Sequence, residues 1–344
     1  MIQQAIAKLF NRQSLSADEA EATMNEIMTG GATPAQIGAY LAALRLKGET
    51  PDEIVGSARA MRAKSLKIHT ERTLLVDTCG TGGDRSGTFN ISTTAAFVVA
   101  GAGVAVAKHG NRAASSQSGS ADVLVALGVN VALSPEQVGQ CIDEIGIGFA
   151  FALLHHPAMK HAAGARREIG SRTIFNILGP LTNPAGATRQ LLGVFDPALT
   201  EMMATVLGDL GAEHALVVSG PDKVDELTTT GLNRISELRS GSVTTYELDA
   251  TQFNLQHCSL DDIGGGTPEF NAAITRSILE GTATRARHDV VVLNAGAALY
   301  VADAANDIRT GIEMAQESIR SGKAMEKLNR LASLSVKLSP PVSN

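Results

Sequence analysis

The chain has 344 residues, a formal net charge of −6 and a hydrophobic fraction of 44%, which is typical of a globular protein with a filled core. The negative charge, an aromatic content of 3% and the lack of tryptophan argue against nucleic acid as a partner, which would need basic and stacking side chains. Three widely spaced cysteines, no charged leader and no apolar run long enough for a membrane helix predict a cytoplasmic protein without a membrane partner.

The N-terminal part of the chain predicts about four short helices, because it carries three capping boxes. These begin at Ser16, Thr33 and Thr50, each with Glu or Gln three residues later, and the last two have proline at the first helical position. We therefore predict a small helical domain over residues 1–68.

From Leu74 onward, short β-branched runs alternate with Ala- and Gly-rich helical stretches. This alternation predicts an α/β domain over residues 69–344, with a mainly parallel central sheet flanked by helices. The predicted strands are LLVD, VAVAK, NVAL, QLLGVF, HALVVSG and HDVVVLNAG, and the predicted helices cover 93–101, 120–128, 135–145, 197–210 and 308–334.

The loop DTCGTGGDRSGTFNIST, residues 77–93, is predicted to hold a phosphate group. Its glycines allow backbone amides to approach a ligand, and its hydroxyl-rich end precedes a helix whose free amides attract anions. It matches neither common template, because Thr88 replaces the P-loop lysine and Arg85 replaces the third glycine of the dinucleotide motif. Asn90 to Thr93 alone would indicate only a helix cap, but the preceding glycines favour the phosphate site.

A second loop, AKHGNRAASSQSGSAD at residues 107–122, predicts another anion site. Lys108, Asn111 and Arg112 supply cations and donors at the end of a predicted strand, and serines precede the next helix. A solvated linker is the alternative, although linkers rarely begin with such a string at the end of a buried strand. Two anion sites predict a ligand with two separated phosphate groups.

A third loop contains the adjacent carboxylates Asp225 and Glu226, after the predicted strand HALVVS. Such a pair can hold Mg²⁺ while water and phosphate oxygens complete the coordination. Adjacent Asp–Glu pairs are common on solvated surfaces, so this interpretation depends on the neighbouring phosphate loops.

Several strings of the sequence, in this order, resemble those of the anthranilate phosphoribosyltransferase family. They are Gly80-Thr-Gly-Gly-Asp84, Thr88-Phe-Asn-Ile-Ser-Thr93, Lys108-His-Gly-Asn-Arg-Ala-Ala-Ser-Ser116, His156-Pro-Ala-Met-Lys160, Arg172-Thr-Ile-Phe-Asn176, Gly179-Pro-Leu-Thr-Asn-Pro184 and Asp225-Glu226. The resemblance implies transfer of a phosphoribosyl group from phosphoribosyl pyrophosphate to anthranilate, with release of pyrophosphate, in tryptophan biosynthesis. It also implies a nucleoside phosphorylase/phosphoribosyltransferase-like fold, a homodimer, Mg²⁺ as cofactor, and a helical segment near 158–180 that joins the two domains.

The resemblance also implies the positions that contact each ligand, without a protein nucleophile. For phosphoribosyl pyrophosphate they are Gly80, Gly83, Asp84, Thr88, Asn90, Ile91, Ser92, Thr93, Lys108, His109, Gly110, Asn111, Arg112, Ala113, Ala114, Ser115, Ser116 and Ser120. For anthranilate they are Gly80, Asn111, His156 and Arg166, and for Mg²⁺ they are Ser92, Asp225 and Glu226. Lys108 is expected to give electrostatic support to the reaction.

Two other functions fit some of these features. A nucleoside phosphorylase of related fold would bind phosphate and a pentose, but we find no string that resembles its signature in these loops. A non-catalytic binding protein could keep the loops, although acidic charge and few aromatic residues disfavour nucleic acid as its ligand.

Overall fold

The computed structural model describes residues 1–84, 86–113 and 117–338, so the predicted contacts of Ala114, Ser115 and Ser116 lie outside the described residues. The helices are α1 (Ile2–Phe10), α2 (Ala17–Met28), α3 (Pro34–Lys47), α4 (Pro51–Lys64), α5 (Ile91–Gly101), α6 (Ser120–Ala126), α7 (Pro135–Ile145), α8 (Ala152–His155), α9 (Lys160–Ile169), α10 (Phe175–Leu178), α11 (Leu199–Asp209), α12 (Pro268–Leu279), α13 (Arg285–Val301), α14 (Ile308–Arg320) and α15 (Lys323–Lys337). The strands are β1 (Val76–Gly80), β2 (Val106–Gly110), β3 (Ile147–Phe151), β4 (Arg189–Gly193), β5 (His214–Ser219), β6 (Leu232–Arg239) and β7 (Ser242–Asp249).

Four helices form the N-terminal part, and the three predicted capping boxes are confirmed at Ser16, Thr33 and Thr50. The buried carboxylate of Glu53 holds these helices together. It accepts hydrogen bonds from the amides of Thr50 (2.8 Å) and Leu15 (3.0 Å), and it pairs with the Lys47 ammonium at 3.0 Å. One capping carboxylate therefore joins the starts of α2 and α4 to the end of α3.

The predicted fold class is confirmed by a seven-stranded, mainly parallel sheet in the order β3-β2-β1-β4-β5-β6-β7. The first five strands in the chain run parallel, and β6 and β7 are antiparallel additions at one edge. The chain leaves β1 towards β2 on one side and returns through β4 on the other side. The carboxyl ends of β1 and β4 therefore form a topological switch point, where ligands bind in open α/β sheets.

Apolar cores cover both faces of the sheet. Leu191 and Leu216 face a core that contains α5, α13 and α14, whereas their neighbours Leu192 and Val217 face the core that contains α1 to α4 and α9 to α11. This alternation is expected of strands buried on both faces. Among the described residues, no helix has the length and apolarity that a membrane span requires.

Several local predictions were wrong. HDVVVLNAG is not a strand but part of α13, whose side chains are buried all round from Asp289 to Leu299, so no helical period is visible. NVAL forms no regular element, and the predicted helix 308–334 is divided at Gly322, where φ is 77°. The prediction also missed β3, β6 and β7; the last two are joined by Ser240 and Gly241, both with positive φ.

Candidate functional site

The predicted loops meet at the carboxyl ends of β1, β2, β4 and β5. Gly80 of β1 pairs with Gly193 of β4, and both lie against Asp225, which follows β5. A Cβ atom at Gly80 would collide with the Asp225 carboxylate, and one at Gly193 would collide with the Asp225 backbone. These two glycines therefore allow the acidic loop to approach the glycine-rich loop.

Three carboxylates come together here. Asp225 Oδ2 accepts a hydrogen bond from the Gly82 amide at 2.6 Å, and Glu226 Oε1 accepts one from the Ser92 amide at 3.1 Å. Burial, followed by the charges of Asp84 and Glu226, holds the pKa of Asp225 well above its usual range. Burial also raises the pKa of Glu226 to about 7, against the opposing effect of Lys108. Within the described ranges, the buried Asp84 Oδ2 has no hydrogen-bond partner.

This arrangement fits a bound divalent cation, because a cation would relieve the repulsion among these partly buried carboxylates. The described part of the chain contains no set of three or more His, Cys, Asp or Glu side chains already arranged as metal ligands. Ser92 lies in the first turn of α5, and its Oγ lies 3.4 Å from Lys108 Nζ. Asp225, Glu226 and Ser92 are close enough through these contacts that they could hold a metal together with oxygens from phosphate and water.

Lys108 is only 3% exposed and projects from β2 between β1 and α5. Its ammonium donates hydrogen bonds to the Thr78 carbonyl and to Ser92 Oγ. A cation fixed in this position lies beside both the glycine-rich loop and the acidic pair. It can stabilise negative charge on a bound phosphate.

A buried polar network, which the sequence did not predict, forms hydrogen bonds with the backbone of β2. The Asp77 carboxylate accepts hydrogen bonds from the His109 amide (3.1 Å) and from Asn183 Nδ2 (2.8 Å). Asn183 Nδ2 also donates to the Ala107 carbonyl at 2.8 Å. Asp77 is completely buried, and burial raises its pKa. The network thus fixes the backbone on both sides of Lys108.

The second loop is held by hydrogen bonds among its own residues. Arg112 pairs with Asp122 at 2.7 Å, and Asp122 also accepts from the amides of Ala113 and Gly119. The Asn111 carbonyl accepts from Ser120 Oγ at 3.2 Å. Arg112 therefore closes the loop through Asp122, and Gly110 lies where β2 ends.

The Asn90 side chain connects the first and second loops to α12. It donates to the Ser118 carbonyl at 3.1 Å and accepts from Asn271 Nδ2 at 2.9 Å. Ile91 and Thr93, in the first turn of α5, are buried. Thr88 forms an isolated bridge with Gly264 beside the glycine-rich loop.

Two predicted site histidines pack against each other below these loops. The rings of His109 and His156 have centroids 5.2 Å apart. Burial, and then nearby histidines, lowers the pKa of His109 to about 3 and that of His156 to about 4. Both rings are therefore neutral at physiological pH.

Arg166 and Arg167 are neighbours on α9 with different surroundings. The Arg166 guanidinium is partly buried, with Cζ 4.9 Å from the centre of the Phe175 ring, and burial lowers its pKa. Arg167 is exposed. Of these two arginines, only Arg166 thus combines a positive charge with a partly dehydrated position.

Comparison with known proteins identifies the family to which this chain belongs. Residues 3–65 match the helical bundle domain of the glycosyl transferase family, and residues 72–325 match its a/b domain. Anthranilate phosphoribosyltransferase of Symbiobacterium thermophilum is 58% identical over 93% of each chain. The chain belongs to the anthranilate phosphoribosyltransferase family. The family resemblance predicted from the sequence is therefore confirmed.

Other anthranilate phosphoribosyltransferases are similar to this chain over nearly its full length. The enzyme of Alkaliphilus metalliredigens is 52% identical over 98% of this chain and 99% of its own. The crystal structure of the Thermus thermophilus enzyme superposes with a TM-score of 0.92 at 45% identity, covering 96% of this chain and 99% of that one. The Saccharomyces cerevisiae enzyme, in complex with PRPP and Mg, has a TM-score of 0.89 at 25% identity, with 98% of each chain covered.

Proposed function

We propose that this chain transfers the phosphoribosyl group of phosphoribosyl pyrophosphate to anthranilate, giving N-(5-phosphoribosyl)anthranilate and pyrophosphate in tryptophan biosynthesis. The observation that carries the proposal is the meeting of the glycine-rich loop, Lys108 and the Asp225–Glu226 pair at the switch point of the sheet. A diphosphate needs this combination of backbone amides, a fixed cation and hard metal ligands.

The reaction breaks a bond at the anomeric carbon while negative charge develops on the departing pyrophosphate. We assign the stabilisation of this charge to the Gly80–Asp84 loop, the N-terminal end of α5 and the Lys108 ammonium. These groups are held in place before the reaction, Lys108 by the Thr78 carbonyl and the loop by Asp225. The nucleophile is the amine of anthranilate, so the protein needs to orient it rather than supply one.

Asp225, Glu226 and Ser92 are the residues that we propose to hold Mg²⁺. When bound, the ion would neutralise charge on the pyrophosphate oxygens. The second loop, from Lys108 to Ser120, is proposed to hold the remaining phosphate and the ribose.

For anthranilate we propose contacts with Gly80, Asn111, His156 and Arg166. The guanidinium of Arg166 matches the planar carboxylate of anthranilate and supplies the opposite charge. The neutral ring of His156 can pack near an aromatic substrate without adding a charge.

We also propose that the protein is a homodimer and is cytoplasmic. Phe10 on α1 is 69% exposed and Leu46 on α3 is 85% exposed, and these two helices pack against each other. Large exposed apolar side chains on neighbouring helices favour contact with a second copy. Three free cysteines suit a reducing compartment. The division into domains at residue 68, with a joining segment near 158–180, remains a prediction.

Product analysis tests the proposed function. The purified protein is incubated with anthranilate, phosphoribosyl pyrophosphate and Mg²⁺, and in parallel with nucleosides and inorganic phosphate. In the first reaction we expect mass spectrometry to detect phosphoribosyl-anthranilate. In the second reaction we expect the nucleoside to remain unchanged. Phosphorolysis instead would favour the phosphorylase alternative, and binding without turnover would favour a non-catalytic protein.

A further inference from the structure

Arg172 lies between α9 and α10, and its side chain reaches the glycine-rich loop after β1. Its Nη2 donates a hydrogen bond to the Gly83 carbonyl, and its Cζ lies over the Phe195 ring, 3.8 Å from the ring centre. Stacking on an aromatic ring and a directional hydrogen bond fix a guanidinium in one orientation. The contact therefore joins two segments separated by 89 residues.

The partner ring of Arg172 is itself connected to the same loop. The Phe195 amide donates to Thr81 Oγ1 at 3.3 Å, and the Thr81 amide donates to the Gly193 carbonyl at 2.9 Å. Thr81 is thus held by the backbone of Gly193 and Phe195, at and just after the end of β4. Gly83 is held by Arg172, which stacks on the Phe195 ring. We call Arg172, Phe195 and the Gly83 carbonyl the loop clamp.

Gly82 and Gly83 have no side chains that could hold the loop in shape. Their φ angles are 67° and 72°, a region that glycine enters freely but leaves just as freely. A glycine pair without anchors must be ordered when its ligand binds, and this loss of entropy lowers affinity. The shape of the loop therefore depends on backbone contacts such as the one with Arg172.

We propose that Arg172 is a positioning residue for the pyrophosphate loop. Through the clamp it keeps the Gly82–Gly83 backbone in the conformation that receives the pyrophosphate end of the substrate. The inference rests on the proposed function for the identity of the anion. It adds a residue outside the ligand-contacting set, and this residue follows the helix that carries Arg166.

Steady-state kinetics of Arg172→Gln and Arg172→Lys, with Arg167→Gln as control, test the proposal. Arg167 is an exposed arginine near the end of α9, five residues before Arg172, so its variant removes the same charge without breaking the clamp. For Arg172→Gln we expect the KM for phosphoribosyl pyrophosphate to rise about ten- to a hundredfold, and the KM for anthranilate to change less than about threefold. Arg172→Lys should be intermediate, because it keeps the charge but not the planar stacking group.

Phe195→Leu tests the clamp without changing any charge. We expect the same rise in the KM for phosphoribosyl pyrophosphate. The double variant Phe195→Leu with Arg172→Gln should have no higher a KM than either single variant, because each substitution alone already breaks the clamp. Thermal unfolding identifies any variant that fails to fold. If Arg172→Gln does not fold, the KM values of Phe195→Leu and Arg172→Lys test the proposal instead.

Three results would overturn the proposal: unchanged KM values in Arg172→Gln, equal rises for both substrates, or the same effect in Arg167→Gln. If the wild-type protein shows no turnover, the proposed function fails separately. In that case, calorimetry of inorganic pyrophosphate binding in the presence of Mg²⁺ tests the loop clamp. We expect Arg172→Gln to bind pyrophosphate about tenfold more weakly than the wild type, and equal binding would contradict the proposal.

Discussion

Arg166→Ala should raise the KM for anthranilate and leave that for phosphoribosyl pyrophosphate almost unchanged. The guanidinium lies 4.9 Å from the Phe175 ring centre and is partly buried, so a carboxylate that meets it is weakly screened by water. A charge-assisted hydrogen bond in such a site contributes about 1.5–3 kcal/mol. Its loss corresponds to a rise in KM of roughly ten- to a hundredfold.

Initial rates of pyrophosphate release, measured while each substrate is varied in turn, give both KM values. Arg167→Ala is the matched control, because its exposed side chain should leave both constants unchanged. Equal effects of Arg166→Ala on both substrates would indicate a general structural role for Arg166. No effect on either would place anthranilate elsewhere.

The remaining predictions concern the metal, the loop and the buried histidines. The double variant Asp225→Asn with Glu226→Gln should lose most Mg²⁺-dependent turnover while its circular dichroism spectrum stays unchanged, because it removes two hard ligands and no core packing; wild-type turnover would refute the assignment. Gly83→Val should weaken phosphoribosyl pyrophosphate binding in calorimetry, because φ is 72° there and a Cβ would lie 3.4 Å from Arg172; unchanged binding would exclude this loop as the pyrophosphate site. His156 stays neutral in the folded protein down to a pKa of about 4, whereas the unfolded chain takes up a proton near its usual value of 6.5. Its contribution to stability is therefore complete above pH 6.5 and is lost as the pH falls towards 4, by about 3 kcal/mol. In urea unfolding, His156→Asn should lose less free energy of unfolding than the wild type between pH 7 and pH 4.5, and equal losses would contradict the argument.

Local signals explain which elements could be predicted from the sequence. The capping boxes at Ser16, Thr33 and Thr50 lie within four consecutive residues each, and all are present in the structure. In contrast, α13 resembled a strand because burial on all sides removes the polar face that reveals a helix. The hairpin of β6 and β7 lacks a continuous apolar run, and only the Ser240–Gly241 turn could have indicated it.

The supporting parts of the site depend on contacts that are distant in sequence. Asp77 meets Asn183 across 106 positions, and Arg172 meets Gly83 across 89. No spacing rule connects such pairs, although Gly83, Arg172 and Asn183 stand in strings that carry the family resemblance. The sequence also predicts Asp225 and Glu226 as metal ligands. It does not predict that burial and the charge of Asp84 raise the pKa of Asp225 well above its usual range.

The proposed phosphoribosyl transfer is tested by following pyrophosphate release by the purified wild-type protein while each of three components is omitted in turn. We expect continuous release only when phosphoribosyl pyrophosphate, anthranilate and Mg²⁺ are all present, and no release when any one is missing. Release that continues at the same rate without anthranilate, or without a divalent cation, would contradict it.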